Sequence, residues 1–225
     1  MFKDSLSLYR WVSEGGKRAL LGTLVRSSAA VVLCLFLRTS AHGAGGEEND
    51  TSSKHSPRCH HGCCFVPSIE LNGEVLSLRG TSTFRYWGFR VYTGALYAPP
   101  TAQSRDAVRG EVKKKLVLCY HRSVSPDQFR EKSQEVLEDT PGVELAALEP
   151  HLSAINNAYL GVKEGDRYAI AYEPESGTMK LWLNEREPEL IAIKSSAFAR
   201  AYFGIWLSEY SVGKEFTDEV FGERE

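Results

Sequence analysis

The stretch that most constrains this chain is 83–99, T-F-R-Y-W-G-F-R-V-Y-T-G-A-L-Y-A-P. It packs six aromatics and two arginines into one run. Such a composition suits a pleated, half-buried surface, and the run is too long for one flat strand. Gly88 sits in its middle, where a bulge or a close backbone approach is expected. After Gly88 the alternation is clean. Phe89, Val91, Thr93, Ala95 and Tyr97 share one face; Arg90, Tyr92, Gly94 and Leu96 share the other. Aromatics on both faces predict a central strand covered on both sides. A cation and a phenol on such a strand need partners, because burying them bare is costly. A ligand with a negative or carbonyl end would supply one.

The totals narrow the class. A chain of 225 residues suits one domain with an appendage, or two small ones. A net charge of −2 sets up no strong field for nucleic acid, and none is expected as a partner. A hydrophobic fraction of 42% suffices for an ordinary core. No zinc-ribbon spacing and no disulfide framework stands out, and nothing sets an oligomeric state.

The N-terminal part reads differently. Lys17, Arg18 and Arg26 precede the apolar run 29–37 (A-A-V-V-L-C-L-F-L), and Ser40, Ala41, Gly43 and Ala44 follow. Residues 1–44 are therefore expected to be a secretory signal or membrane anchor. The apolar run is short for a membrane-crossing helix. An organelle transit segment, mitochondrial or plastid, is the alternative. Asn49-Asp50-Thr51 is a glycosylation sequon. Residues 45–65 are expected to be a flexible linker that carries R-C-H-H-G-C-C at 58–64. Cys59, His60, His61, Cys63 and Cys64 have metal-binding chemistry. Donors this close in sequence need a second cluster to surround one ion, and there is none. No metal site is expected; acylation or disulfide pairing of these cysteines remains open.

The folded domain is expected over 66–225. Ile69 to Leu71, the turn Asn72-Gly73 and Val75 to Leu78 read as a β-hairpin. A strand over 115–121 has a strongly apolar centre. Ser125 caps a helix, with Pro126 at its first position and Gln128 closing a capping box. Phe129, Val136 and Leu137 form that helix's inner stripe. One or two helices follow over 141–160, with a break at Pro150. A second hairpin runs over 168–183, a short strand over 190–193, and a helix after Ser195 or Ser196 carries Phe198, Tyr202, Ile205 and Trp206. The class is α+β, a mainly antiparallel sheet with helices on one side.

Four motifs then resemble one family. G-F-R-V-Y-T-G-A-L-Y-A-P (88–99) is similar to the central strand of the chalcone isomerase-like family, nearest its bacterial-type branch. A-I-N-N-A-Y (154–159), V-K-E-G-D-R-Y (162–168) and F-A-R-A-Y-F-G-I-W-L (198–207) follow in the family's order. The resemblance spans 66–222. It implies an open-faced β-sandwich: a large antiparallel sheet backed by helices, with a ligand cleft between them. It implies no cofactor.

Plant members of this family close a flavanone ring on an enone. An arginine stabilises the phenolate, and a threonine, a tyrosine and a water act on the forming enolate. A lysine and an asparagine position substrate. By resemblance, Arg79-Gly80 matches the arginine-glycine pair, and Tyr92 stands at the threonine position. Phe129 replaces the tyrosine, Lys132 matches the lysine, and Val136 replaces the asparagine. No catalytic set is complete. The fatty-acid-binding branch instead uses an arginine and a tyrosine in an apolar cleft to hold a carboxylate. The resemblance therefore implies Arg79 and Tyr92 as ligand-binding residues, Arg85 as the rival cation, and Phe129 and Lys132 beside them. The function expected is binding of a fatty acid or similar amphiphilic carboxylate. An isomerase acting on a chalcone-like enone, and a non-catalytic accessory protein, are the alternatives. Trp87, Trp182 and Trp206 are expected in the core, and His121 is expected to be structural.

Overall fold

The structure, a computed structural model, describes residues 56–222. The expectations for 1–44, for the sequon and for 45–55 lie outside the described residues. Within them the chain runs β1 (Arg58–His60), β2 (Cys63–Phe65), β3 (Ser68–Leu71), β4 (Glu74–Tyr86), β5 (Phe89–Ala98) and α1 (Arg105–Arg109). It continues through β6 (Lys114–Tyr120), α2 (Pro126–Glu138), α3 (Leu145–Ala158), β7 (Arg167–Glu173), β8 (Thr178–Leu183) and β9 (Ile191–Lys194). Two helices, α4 (Ser196–Leu207) and α5 (Lys214–Val220), close it.

Strands β3 to β9 form one seven-stranded antiparallel sheet in sequence order. The α+β, open-faced architecture is as expected. Each strand pairs with its sequence neighbour, so the sheet can be joined by tight hairpins and by helical excursions that return to its next free edge. β5 is third of the seven, inside the sheet.

The 83–99 stretch turns out not to be one strand bulged at Gly88. Trp87 and Gly88 are the two central residues of a tight turn, with φ of +50° and +79°. They join the end of β4 to β5. A turn that matches the twist of its strands needs positive φ at both central positions, and glycine gives it without strain. No backbone closely approaches Gly88. The bulges lie instead at Leu78/Gly80 and Phe84/Arg85. Trp87 consequently sits at a hairpin tip, 75% exposed, and is not in the core; Trp182 and Trp206 are buried as expected.

β5 is buried on both faces, by different means. Ala95 and Tyr97 pack with Leu76, Val117, Cys119, Ala169, Ala171 and Trp182 on one face. Cys63 and Phe65 of the β1–β2 hairpin cover that cluster. Residues 58–65 are thus part of the fold, which corrects the expectation of a linker up to residue 65. The absence of a disulfide framework is also corrected. Cys59 bonds Cys64 across the hairpin, and Cys63 bonds Cys119 on β6. No local spacing signals the second bond, because its partners lie 56 residues apart. All three cysteines of the 58–64 stretch are spent on disulfides, which leaves no thiolate there for a metal.

The helices cover the other face. The Ser125–Gln128 capping box forms as expected, with Pro126 in the first turn of α2. Pro150 does not break its helix. α3 runs unbroken from Leu145 to Ala158, with the proline in its second turn. At the sixth helical position the proline lies past the four donors that lack helical partners, so it forfeits one i→i−4 bond, to Ala146, without ending the helix.

The two disulfides should differ in weight. On loop-closure entropy, the 56-residue loop of Cys63–Cys119 is worth about 4 kcal/mol and the short loop of Cys59–Cys64 about 2 kcal/mol. Denaturant titration of the C63A/C119A and C59A/C64A double variants checks the order. Equal losses would mean that the first bond does not pin the hairpin to the sheet.

Candidate functional site

Between the sheet and the helices lies a layer of aromatic rings. Tyr92 projects from β5 into it. Tyr92 stacks on Phe84 at 5.1 Å and meets Phe216 of α5 and Tyr120 of β6 edge-on at 5.5 and 5.7 Å. Tyr120 meets Phe129 of α2 edge-on at 5.7 Å. Phe129 in turn stacks on Tyr159 at 4.8 Å and stands edge-on to Tyr168 at 5.3 Å. Gly94 makes room for this packing, since a Cβ there would come within 2.5 Å of the Phe216 ring.

Three phenols of this layer have partners. Tyr159 and Tyr202 bond each other through their hydroxyls. Tyr168 donates to Leu160 O at 2.8 Å and accepts from Leu160 N at 2.9 Å. Tyr92 differs. It is 6% exposed and its hydroxyl has no hydrogen-bond partner. The Trp206 indole approaches and slightly favours ionisation, but it misses hydrogen-bonding geometry. An unpaired buried hydroxyl costs about 1–3 kcal/mol. Burial pushes the Tyr92 hydroxyl far above the ordinary phenol pKa, so it stays a neutral donor at physiological pH.

The other residues named from the sequence scatter around this layer. Phe129 is inside it, and Val136 is buried on the same helix. Of the two apolar replacements, Val136 is thus buried and Phe129 half-buried among the rings of the layer. Arg79 lies at the Leu78/Gly80 bulge. Its Nη2 donates to Gln103 O at 3.2 Å, and its Nε is buried without a partner. Gly80 pairs with Leu96 and Phe84 with Tyr92, so Arg79 is more than four strand positions, about 13 Å, from Tyr92 along the sheet. Arg85 is exposed beside the hairpin tip, directly across from Arg90. A bulge separates the Phe84 and Arg85 pairs, and the charges of Arg85 and Arg90 act on His61 of the β1–β2 hairpin, away from the aromatic layer. Lys132 pairs with Glu135 at 2.7 Å. The structure thus brings Tyr92 and Phe129 into one layer through Tyr120. It does not bring Arg79, Arg85 or Lys132 beside Tyr92.

His121 has a structural environment. Its Nε2 is 2.7 Å from Thr93 Oγ1, which lies 2.9 Å from Thr83 Oγ1. Burial first, and then the nearby His61 and Arg90, lower its pKa. Sequence reasoning did not assign Tyr120, Tyr159, Tyr202 or Phe216 to the site. Tyr159 and Tyr202 do recur at core spacing in their helices, which was the available signal. For Tyr120 and Phe216 only the sheet register and the docking of α5 create the contact.

Two hydroxyl deletions should separate the unpaired phenol from a paired one. Tyr168→Phe should destabilise by about 1–2 kcal/mol, while Tyr92→Phe should be neutral or stabilising by up to about 1 kcal/mol. Thermal or denaturant unfolding measures both. The layer should also fail in alkali. Burial raises the pKa of Tyr92, Tyr120, Tyr159 and Tyr202 above the ordinary value of 10.0. The folded state therefore holds protons that the unfolded state loses above pH 10, and stability falls as pH rises. Each phenol contributes about 1.4 kcal/mol per pH unit. Phenolate absorbance should appear together with unfolding; titration of all tyrosines at pH 10 in the folded protein would contradict this.

Comparison with known proteins agrees with this architecture. The crystal structure of a fatty-acid binding protein of Arabidopsis thaliana is similar in fold, with a TM-score of 0.56. The two are 13% identical, over 74% of this chain and 96% of that one. No curated protein matches the chain. A family model described as chalcone isomerase-like matches residues 59–222, from the disulfide-tied hairpin to the end of α5. The chain belongs to the chalcone isomerase-like family.

Proposed function

We propose that the domain holds a fatty acid or similar amphiphilic carboxylate between its sheet and its helices, with the polar end at Tyr92. One observation carries this reading: the Tyr92 hydroxyl is a buried, neutral, unpaired donor in an apolar aromatic layer. A ligand oxygen would satisfy it, and the surrounding rings would take the chain. The shared fold with a protein named for binding fatty acids supports the same ligand class. Arg79 is the cation for the carboxylate in this proposal. Its unpaired Nε is available, but it must leave Gln103 O and extend toward Tyr92.

The same hydroxyl could donate to the carbonyl of a chalcone-like enone, which is the observation favouring an isomerase. Phe129 and Val136 stand where such a site would use a phenol and an amide, so the binding reading is preferred. A non-catalytic accessory protein, acting through partners, is compatible with the same binding site. The two disulfides support an oxidising compartment, and hence the secretory or membrane-anchored route over a mitochondrial or plastid one.

Native mass spectrometry of the purified chain, followed by titration with oleate, tests the proposal. Tyr92→Phe should weaken oleate binding by about tenfold or more, the loss of one hydrogen bond to a charged group. Arg79→Ala should weaken it further. If Arg79→Ala changes nothing, the hydroxyl is the sole polar anchor. If no lipid co-purifies and neither variant matters, the proposal fails. Turnover of a chalcone that is lost in Tyr92→Phe would replace it with the isomerase reading.

A further inference from the structure

A second candidate site lies away from the aromatic layer's interior. β3 pairs with β4 only from Glu74 to Ser77. Beyond Ser77, β4 has β5 on one side and no strand on the other among the described residues. Each residue from Thr81 to Arg85 lines one groove of about 800 Å³. Successive side chains of a strand point to opposite faces. Five in a row can share a groove only if it looks at the strand edge-on. The floor of the groove is therefore the open edge of β4, where every second residue turns its N–H and C=O outward.

Two walls recess this edge. The β1–β2 hairpin is one, held by a 2.8 Å bond between His60 Nε2 and Thr81 Oγ1. The start of α5 and its C-terminal turn form the other, held by Ser82 donating to Glu219 at 2.8 Å. At Gly80 the edge closes, because any side chain there would collide with the carbonyls of Glu219 and Val220. The hairpin wall presents Arg58, His60 and His61, and Arg85 stands at the end of the floor. Arg85 faces Arg90 across the strands, and neither has an acidic partner among the described residues. His61 titrates below its ordinary pKa, through desolvation first and then Arg90, Arg85 and His60. The acidic groups of the groove, Glu215 and Glu219, are on the opposite wall.

We infer that this groove binds an extended acidic peptide of a partner protein, added as a strand to the edge of β4. The peptide backbone would meet the outward N–H and C=O groups of 81–85. Its alternate side chains, those turned to the hairpin wall, would carry Asp or Glu against Arg58, His60 and Arg85. A small anion would leave the floor's backbone groups unpaired. A second copy of this chain cannot reach the floor with the same edge, because that edge is itself recessed between two walls.

The test uses the full-length chain as bait for a displayed library of random peptides of about seven residues, enough to span the floor at about 3.3 Å per residue. The selected peptides should carry Asp or Glu at alternate positions. They should slow amide hydrogen exchange across 81–85. N-methylation of alternate backbone nitrogens, with side chains unchanged, should weaken them by about tenfold or more. Arg85→Glu should reverse the charge preference without touching the floor's backbone. Four results would overturn the inference. They are no enrichment of alternating acids, affinity that survives N-methylation, exchange at 81–85 that the peptide leaves unchanged, and slowing that follows protein concentration with no peptide present. The second would mark a charge-only anion site, and the last would mark pairing between copies.

Discussion

The burial of β5 on both faces is the constraint on which the rest depends. A strand with Tyr97 on one side and Tyr92 on the other needs two separate covers. The helices supply one, and the β1–β2 hairpin supplies the other. A three-residue strand pair has too little apolar area to stay docked by packing alone. The Cys63–Cys119 bond ties it to the adjacent strand of the sheet. The same hairpin then becomes a wall of the β4 groove through His60. One covalent link thus serves a core and a surface.

The helix-side layer is unusual in how it treats polar groups. Most of its rings are tyrosines, and each hydroxyl brought indoors must be paired or pay for desolvation. Tyr168 finds both backbone groups of Leu160, and Tyr159 and Tyr202 find each other. These pairs hold the α3–β7 connection and α4 against the sheet. Tyr92 stands apart because its neighbours are the rings of Phe84, Phe216 and Tyr120. Under the proposed function a ligand oxygen would complete it.

Much of this was legible along the chain. The period-2 alternation assigned the side chains of β5 from Tyr92 to Tyr97 to their faces, and those faces are as read; the bulge opposite Phe84 and Arg85 breaks it between Arg90 and Tyr92. Ser125, Pro126 and Gln128 announced α2 because capping uses only groups within three residues of each other. The family was legible from four motifs in order. The misreadings share a cause. Gly88 and Trp87 form a hairpin turn, where the run had been expected to bulge, because nothing local says which strand comes back to pair. Cys63 was assigned to a linker because its partner lies on another strand. Arg79 and Arg85 carry the right chemistry, but each lies at a bulge in the β4–β5 pairing, which no local pattern announces, and neither is brought beside Tyr92.

The sequence by itself determined the strand faces, the helix start, the α+β class and the family, since each rests on short-range periodicity, capping or a local motif. Only the tertiary structure decided that the aromatic run is the tip of a hairpin, that Cys63 meets Cys119, and that Tyr92's hydroxyl is left unpaired. It alone revealed the open edge of β4 between two walls. These are facts about register and docking between segments far apart in sequence. They follow from closing the sheet and covering its faces, which no window of neighbouring residues contains.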